Sequence, residues 1–279
     1  MTARTFSFEF FPPKTPEGEV KLRSVRTRLA ALNPDYFSVT FGAGGSTREG
    51  TWNAVQEIHQ AGLPVAPHIS CVGSGRASIS KLLNAYREAG IRRLVALRGD
   101  APSGTGTGGG ELVFASDLVE FARAETGAWF HIEVAAYPEY HPQARSPDED
   151  LAHFVRKIRA GANSAITQYF YNADAYYRFR DAARALGCTV PIVPGVMPIT
   201  NFAQLARFSD ACGAEIPRWI RNKLASYGDD RESIRAFGLD VVCSLCERLL
   251  AQGAPGLHIY TMNMAEASLE IWRRLGLPK

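Results

Sequence analysis

The chain has 279 residues, 46% hydrophobic and 21% charged, which is an ordinary globular composition with enough length for a large core. The net charge of +3 comes from Lys and Arg residues spread along the chain, which argues against nucleic acid as the main partner. Charged residues in the first 14 positions argue against a signal peptide, and no window approaches the about 20 apolar residues of a membrane-spanning helix. The five cysteines are dispersed along the chain, which favours reduced thiols. We therefore predict a cytoplasmic protein with no membrane partner.

Short apolar runs alternate with helical patterns along the whole chain. We predict strands over residues 5–11, 36–40, 65–70, 94–97, 131–136, 165–169, 190–194 and 257–260. We predict helices over residues 16–32, 79–89, 114–125, 148–160, 173–186, 202–210 and 265–275. A further helix is predicted to begin after a cap at Ser46 or Thr47 and to end at residue 61. Further helical material runs from Trp219 to about residue 250.

Eight strands that alternate with helices indicate parallel pairing through right-handed crossovers, and eight is the number that closes a barrel. We therefore predict an α/β fold: a single (β/α)8 TIM barrel with extra helices between strands 7 and 8. The whole chain, residues 1–279, is expected to form one catalytic domain without a regulatory domain.

Polar residues cluster where the predicted strands end, and this edge of a barrel forms the active site. The run 93–97 leads directly into Arg98, Gly99 and Asp100, which makes this corner a strong candidate for ligand binding. Other strand-end residues include Thr40, His68, Tyr137, His141, Gln168 and Tyr260.

Glu9 is the candidate acid. Residues alternate between the two faces of a strand, so Glu9 lies opposite Phe6, Phe8 and Phe10. If the aromatic residues face the helices, Glu9 points into the barrel, where apolar walls favour a proton-bearing carboxyl that can act as a general acid. A structural Glu paired with a neighbouring Arg explains the spacing equally well.

Eight motifs together resemble the bacterial type of methylenetetrahydrofolate reductase. They are FSFEFFPPK at 6–14, SVTFGA at 38–43, APHISC at 66–71, ALRGD at 96–100, AAYPEYHP at 135–142, AITQYF at 165–170, PGVMP at 194–198 and IYTMN at 259–263. The resemblance implies an FAD-containing (β/α)8 barrel of one-carbon metabolism. It would reduce 5,10-methylenetetrahydrofolate to 5-methyltetrahydrofolate with NADH or NADPH by a ping-pong mechanism, as a homo-oligomer.

The resemblance also implies roles for individual residues. Glu9 matches the general acid, and Asp100 matches a catalytic carboxylate that contacts both the flavin and the pterin ring. The substrate-binding positions are Glu9, Thr40, Asp100, Gln168, Gln204 and Phe208. The FAD-binding positions are Thr40, Ala43, His68, Arg98, Gly99, Asp100, Ala115, Tyr137, His141, Ala144, Asp150, His153, Arg156 and Lys157. Of these, Arg156 and Lys157 are the cations expected for the pyrophosphate.

Two alternatives remain open. One is a barrel oxidoreductase of the same lineage that passes hydride directly from the nicotinamide to folate without a flavin. Another is a non-catalytic subunit that binds folate or flavin. The segment Gly104-x-Gly106-x-x-Gly109 formally fits a dinucleotide fingerprint, but consecutive glycines disfavour the helix that the fingerprint requires. Cys243-x-x-Cys246 is interpreted as core packing, and no metal site is predicted.

Overall fold

The structure is a computed structural model, and it describes residues 4–41, 48–99 and 111–278. The described strands are β1 (Thr5–Phe10), β2 (Tyr36–Val39), β3 (Val65–Ser70), β4 (Arg93–Leu97), β5 (His131–Ala136), β6 (Ser164–Thr167), β7 (Ile192–Val193), β8 (Gly195–Val196) and β9 (Gly256–Tyr260). The described helices are α1 (Pro16–Ala30), α2 (Arg48–Gln60), α3 (Arg76–Glu88), α4 (Ala115–Thr126), α5 (Pro147–Arg159), α6 (Ala173–Ala185), α7 (Phe202–Cys212), α8 (Arg218–Ser226), α9 (Arg231–Ala251) and α10 (Glu266–Arg274).

The strands form one parallel sheet in the order β7-β6-β5-β4-β3-β2-β1-β9-β8. The two end strands are consecutive in the chain and are separated only by Pro194, so β7 and β8 are two halves of the seventh barrel strand. The first half pairs with β6 and the second half with β9. The predicted eight-stranded barrel is confirmed, with its seventh strand divided at a residue that has no N–H to donate.

The two faces of β1 have different surroundings, as the alternation predicts. The Phe6 and Phe8 rings each lie with their centroids 5.4 Å from that of Trp272 on α10, and Phe10 stacks on Phe37 at 5.3 Å. Ser7 and Glu9 point into the barrel, where both contact His258 of β9. Deleting a fully buried ring such as Phe8 would cost about 3–5 kcal/mol, so this outer packing fixes the direction of Glu9.

The barrel interior has an apolar middle between polar ends. Its buried cluster consists of Tyr36, Ala66, Val95 and Ile166, with Leu97 packed against it. These side chains fill the interior of the barrel, so it is a packed core and not a pore. Polar side chains lie toward both ends of the strands, and those at the carboxyl ends form the candidate site described below.

Helix α7 matches the predicted helix over 202–210, and the extra helices between the seventh and eighth barrel strands are confirmed as α8 and α9. Helix α7 begins at Asn201, whose side chain accepts a hydrogen bond from the Gln204 N–H. Cys243 and Cys246 are buried on α9, which agrees with core packing. None of the helices within the described residues combines the length and the apolar character needed to cross a membrane.

Candidate active site

Glu9 lies near the carboxyl end of β1, between a histidine of the adjacent strand β9 and a histidine of β3, which is two strands away. Its Oε2 atom is 3.4 Å from Nε2 of His68 on β3 and 3.4 Å from Nε2 of His258 on β9. All three side chains are buried. Among the described residues, the ion-pair partners of Glu9 are these histidines and include no arginine. A structural Glu9–Arg pair is therefore not observed within the described part of the chain.

His68 is neutral at physiological pH. Burial lowers its pKa to about 4, and the nearby His258 also lowers it, whereas Glu9 acts in the opposite direction. The contact between His68 and Glu9 is close, but it lacks the geometry of a hydrogen bond. On the side of β3, Glu9 therefore faces a neutral ring.

Two predicted site residues have buried polar atoms that no described residue satisfies. They are Thr40, through Oγ1, and His68, through Nε2. Thr40 directly follows β2, and the alternation of that strand places it on the inward face with Tyr36 and Ser38. Buried polar atoms nearly always have partners, and a polar ligand at the carboxyl ends of these adjacent strands would satisfy both atoms.

A groove of about 480 Å³ lies at the carboxyl ends of β4 and β5, between α4 and α5, and neither Thr40 nor His68 is part of its lining. It is formed after β4 and β5, so segments far apart in the sequence contribute to one surface. Most of the predicted cofactor-binding residues line it: Arg98, Gly99, Ala115, Tyr137, His141, Ala144, Asp150, His153 and Lys157. The structure thus brings together residues that the sequence could only place in separate motifs.

Lys157 is a half-buried cation in the groove. Its Nζ donates a 2.5 Å hydrogen bond to the Ala135 carbonyl, and burial lowers its pKa to about 8 while Asp150 opposes this shift. Burial also raises the pKa of Asp150, against the effect of Lys157, and its Oδ2 accepts the His141 N–H at 3.1 Å. An anionic ligand in this groove would compensate the Lys157 ammonium group for its lost hydration.

Flat rings form part of the groove wall. Phe114 stacks on His153 with centroids 5.4 Å apart and ring planes at 22°. Tyr137 and His141 meet edge to face at 4.7 Å, and Nδ1 of His141 accepts the Gln143 N–H at 3.0 Å. Such surfaces suit a ligand with aromatic ring systems.

Other predicted residues lie outside this groove. Arg156 is exposed on α5 and is not part of the lining. Gln168 follows β6 and is half-buried, with Oε1 accepting the Tyr169 N–H at 3.0 Å. Gln204 and Phe208 lie one turn apart on α7, and Phe208 is 38% exposed. Two further positions, Ala43 and Asp100, fall outside the described residues.

The sequence reasoning missed several residues that the structure adds. Phe114, Gln143 and Arg145 line the groove but belong to segments that flank helices rather than to strand ends. Ser7 and His258 lie beneath Glu9 in the barrel interior. The alternation of 256–260 gave a signal for His258, because it places this residue on the same face as Tyr260.

Sequence comparisons with known proteins point to one family. The sequence model of a family described as methylenetetrahydrofolate reductase matches residues 2–276. The 5,10-methylenetetrahydrofolate reductase of Escherichia coli (strain K12) is 40% identical over 272 residues, which cover 97% of this chain and 90% of that protein. A probable methylenetetrahydrofolate reductase (NADH) of Oryza sativa subsp. japonica is 37% identical over 285 residues, covering 98% of this chain and 48% of that protein.

A solved structure shows the same fold at low sequence identity. It is an uncharacterized protein from Clostridium thermocellum that binds two copies of 5-methyl-5,6,7,8-tetrahydrofolic acid. The TM-score is 0.70 at 17% identity, with 98% of this chain and 94% of that chain covered. The family match and the bacterial relative extend over nearly the whole chain. The chain therefore belongs to the methylenetetrahydrofolate reductase family of oxidoreductases.

Proposed function

We propose that this protein reduces 5,10-methylenetetrahydrofolate to 5-methyltetrahydrofolate with NADH or NADPH, using bound FAD in a ping-pong mechanism. The observation that carries the proposal is the buried carboxyl of Glu9 between His68 and His258, at the same end of the barrel as a groove lined by most of the predicted cofactor residues. Membership of the family supports the overall reaction, and these residues could carry out its chemical steps.

The described residues fit FAD. The Thr40 hydroxyl and Nε2 of His68 are buried polar atoms that a ligand would satisfy. In the groove, Lys157 and Arg98 would bind the pyrophosphate, while the Phe114 and His153 rings would contact a flat ring system. When bound, FAD would take a hydride from the nicotinamide and transfer it to the folate.

Glu9 supplies the proton. Opening the bridged ring of methylenetetrahydrofolate requires a proton on N10 before the methylene carbon becomes an electrophilic iminium. The buried Glu9 carboxyl is proposed to donate that proton, and a neutral His68 places no positive charge on its own side of this carboxyl.

One binding site is proposed to serve both substrates in turn. Gln168 offers an amide at the end of β6, and Gln204 and Phe208 offer an amide and a ring on one face of α7. The flat nicotinamide and pterin rings can both stack on Phe208. We propose that Asp100 contributes a carboxylate to the same site, as its place in the family motif implies.

An absorption spectrum of the purified protein followed by two half-reactions tests this function. We expect flavin absorbance that NADH or NADPH bleaches and that methylenetetrahydrofolate restores, with 5-methyltetrahydrofolate as the product. Running both dinucleotides in parallel determines the donor. A colourless but active protein would instead support direct hydride transfer, and a protein that binds ligands without oxidising a nicotinamide would support a non-catalytic subunit.

A further inference from the structure

The backbone carbonyl of Thr167, the last residue of β6, has a side chain as its hydrogen-bond partner. In a regular parallel ladder, the pairing of Ile166 with Val193 would direct this carbonyl to the Gly195 N–H of the seventh strand. The Gly195 N–H donates instead to the Thr167 hydroxyl at 2.8 Å. The carbonyl accepts the phenol of Tyr260, at the end of β9, at 2.7 Å. A side chain from beyond the divided seventh strand thus completes the end of β6.

This hydrogen bond requires a glycine at position 195. A Cβ added to Gly195 would overlap with the Thr167 carbonyl oxygen and would lie 2.8 Å from the Tyr260 hydroxyl oxygen. Any larger residue would therefore displace either the phenol or the carbonyl. The ring can reach across the seventh strand only because the main chain there has no side chain.

The Thr167 carbonyl and the Gln168 N–H belong to one planar peptide group. That N–H donates to the Ala136 carbonyl of β5 at 2.8 Å. Tyr260 and Ala136 therefore hold the same peptide plane from opposite sides, and this plane sets the direction in which the Gln168 side chain leaves the strand end. Oε1 of Gln168 also accepts the Tyr169 N–H at 3.0 Å, which keeps the amide group close to the fixed main chain.

The surroundings of Tyr260 keep its hydroxyl protonated and able to donate. Burial raises the pKa of this phenol far above its usual range, and Glu9, its register partner on β1, acts in the same direction. The ring is held edge to face against His258, with centroids 5.3 Å apart. The neighbouring phenol of Tyr169 has a different partner, because it lies 3.0 Å from the Ser209 hydroxyl.

Building on the proposed function, in which Gln168 contacts both substrates, we propose that Tyr260 is a positioning residue for methylenetetrahydrofolate and for the nicotinamide. Its phenol fixes the peptide between Thr167 and Gln168, and so holds the Gln168 amide where the two substrates bind in turn. Without the hydroxyl, the Thr167 carbonyl can turn toward the Gly195 N–H, and this rotation displaces Gln168. Both substrates then bind more weakly, whereas the proton donor Glu9 is unchanged.

Stopped-flow measurements on the holoenzyme test this role. Tyr260→Phe removes the hydroxyl and keeps the ring. Tyr176→Phe is the matched control, because it removes a buried phenol that donates to the Ile192 carbonyl at 2.8 Å, in the other half of the seventh strand. Thermal unfolding and flavin absorbance check that each variant is folded and loaded. The concentration dependence of flavin reduction by NADH or NADPH, and of reoxidation by methylenetetrahydrofolate, gives an apparent Kd and a limiting rate for each substrate.

We expect the apparent Kd of both substrates to rise about five- to tenfold in Tyr260→Phe, the size of effect that one hydrogen bond produces, while both limiting rates stay within about threefold. Tyr176→Phe should lower the unfolding temperature and leave both Kd values unchanged. Unchanged Kd values in Tyr260→Phe would overturn the proposal, as would a fall in the limiting rates alone, which would assign the phenol to the chemical step.

A double-mutant cycle with Gln168→Ala separates positioning from direct contact with the substrates. If Tyr260 acts through Gln168, then Tyr260→Phe should change each Kd by about twofold or less once the amide is gone. Fully additive losses of binding would overturn the proposal, because they would show that the phenol contacts the substrates itself. The loss of thermal stability caused by Tyr260→Phe should be equal in both backgrounds, since the bond to the Thr167 carbonyl does not involve the Gln168 side chain.

A further measurement does not depend on turnover. Binding of 5-methyltetrahydrofolate to the oxidised holoenzyme, followed by the change in flavin absorbance, should weaken in Tyr260→Phe by the same factor as the Kd of methylenetetrahydrofolate. Unaltered binding of this product would contradict the positioning role. If the unmodified enzyme carries out neither half-reaction, the proposed function itself fails, whereas an active enzyme with unchanged substrate binding in Tyr260→Phe rejects only the role of Tyr260.

Discussion

Nε2 of His68 lies 3.4 Å from Oε2 of Glu9, yet burial holds the pKa of His68 at about 4. A charged imidazolium at this distance would stabilise the carboxylate and oppose proton donation by Glu9. The neutral ring has no such effect and still offers a polar edge to a ligand. The barrel interior thus keeps a histidine beside the proposed acid without fixing a positive charge there.

This arrangement predicts acid sensitivity. His68 titrates near pH 6.5 when unfolded and near 4 when folded, so the unfolded state takes up a proton first as the pH falls. The free energy of unfolding should therefore decrease by about 3 kcal/mol from this group between pH 6.5 and 4. Urea denaturation across this range, at a fixed FAD concentration, should show a shallower pH dependence for His68→Gln. The control His59→Gln, which changes a half-buried helical histidine, should retain the original slope.

The Glu9→Gln variant separates the two half-reactions. The amide keeps the size of the side chain but cannot donate a proton to N10, so reoxidation of the reduced flavin by methylenetetrahydrofolate should slow by about 10²–10⁴-fold. Reduction by the nicotinamide needs no proton from Glu9 and should stay within about threefold, which provides an internal control in stopped-flow traces. An equal loss in both half-reactions would contradict the assigned role.

Much of the fold could be predicted because local patterns agreed with the tertiary structure. The alternating aromatic residues of β1 predicted both the strand and the inward direction of Glu9, and packing on Trp272 and Phe37 explains why. The seventh strand was predicted as one unit over 190–194. In the structure it begins at Ile192, is interrupted by Pro194 and continues to Val196, because each half bonds to a different neighbour.

The candidate site was predictable in its parts but not in its contacts. Motifs placed Arg98, His141 and Lys157 near strand ends or on a helix, and the structure collects them in one groove. Alternation placed His258 inside the barrel, but it could not show that the ring reaches both Ser7 and Glu9. That contact depends on the register between β1 and β9, which pairs Ser7 with His258 and is set by long-range packing.

Lys157 predicts how cofactor affinity depends on pH. Its pKa is lowered to about 8 by burial, and an anionic pyrophosphate favours the charged form. Above pH 8 the free protein must take up a proton to bind FAD, so affinity should fall by up to tenfold per pH unit. Titration of the apoprotein with FAD, followed by quenching of flavin fluorescence, measures this effect.

The Lys157→Met variant should bind FAD at least tenfold more weakly at pH 7, and it should lose the decline above pH 8. Arg159→Met is the control, because Arg159 is an exposed cation on the same helix that does not line the groove. An unchanged pH dependence in Lys157→Met would exclude Lys157 as the titrating group.

The end of α7 contacts the loop that follows β5. Gly213 caps α7 with a φ of 75°, and a Cβ added there would lie 2.7 Å from Cγ of Pro142. Pro142 directly follows His141, which lines the groove. A side chain added at Gly213 would therefore push on the loop that forms part of the groove wall. Gly228 has a φ of 53° but no atom within 4 Å of an added Cβ, which makes it a matched control.

Gly213→Ala should therefore cost more than Gly228→Ala. Both substitutions place a side chain in the left-handed region, at about 1 kcal/mol, whereas only Gly213→Ala adds overlap with Pro142, at a further 1–3 kcal/mol. Urea denaturation measures the two losses, and flavin titration should show weaker FAD binding for Gly213→Ala alone, since relief of the overlap displaces the His141 loop. Equal losses of stability with unchanged FAD affinity would show that α7 and the groove are independent.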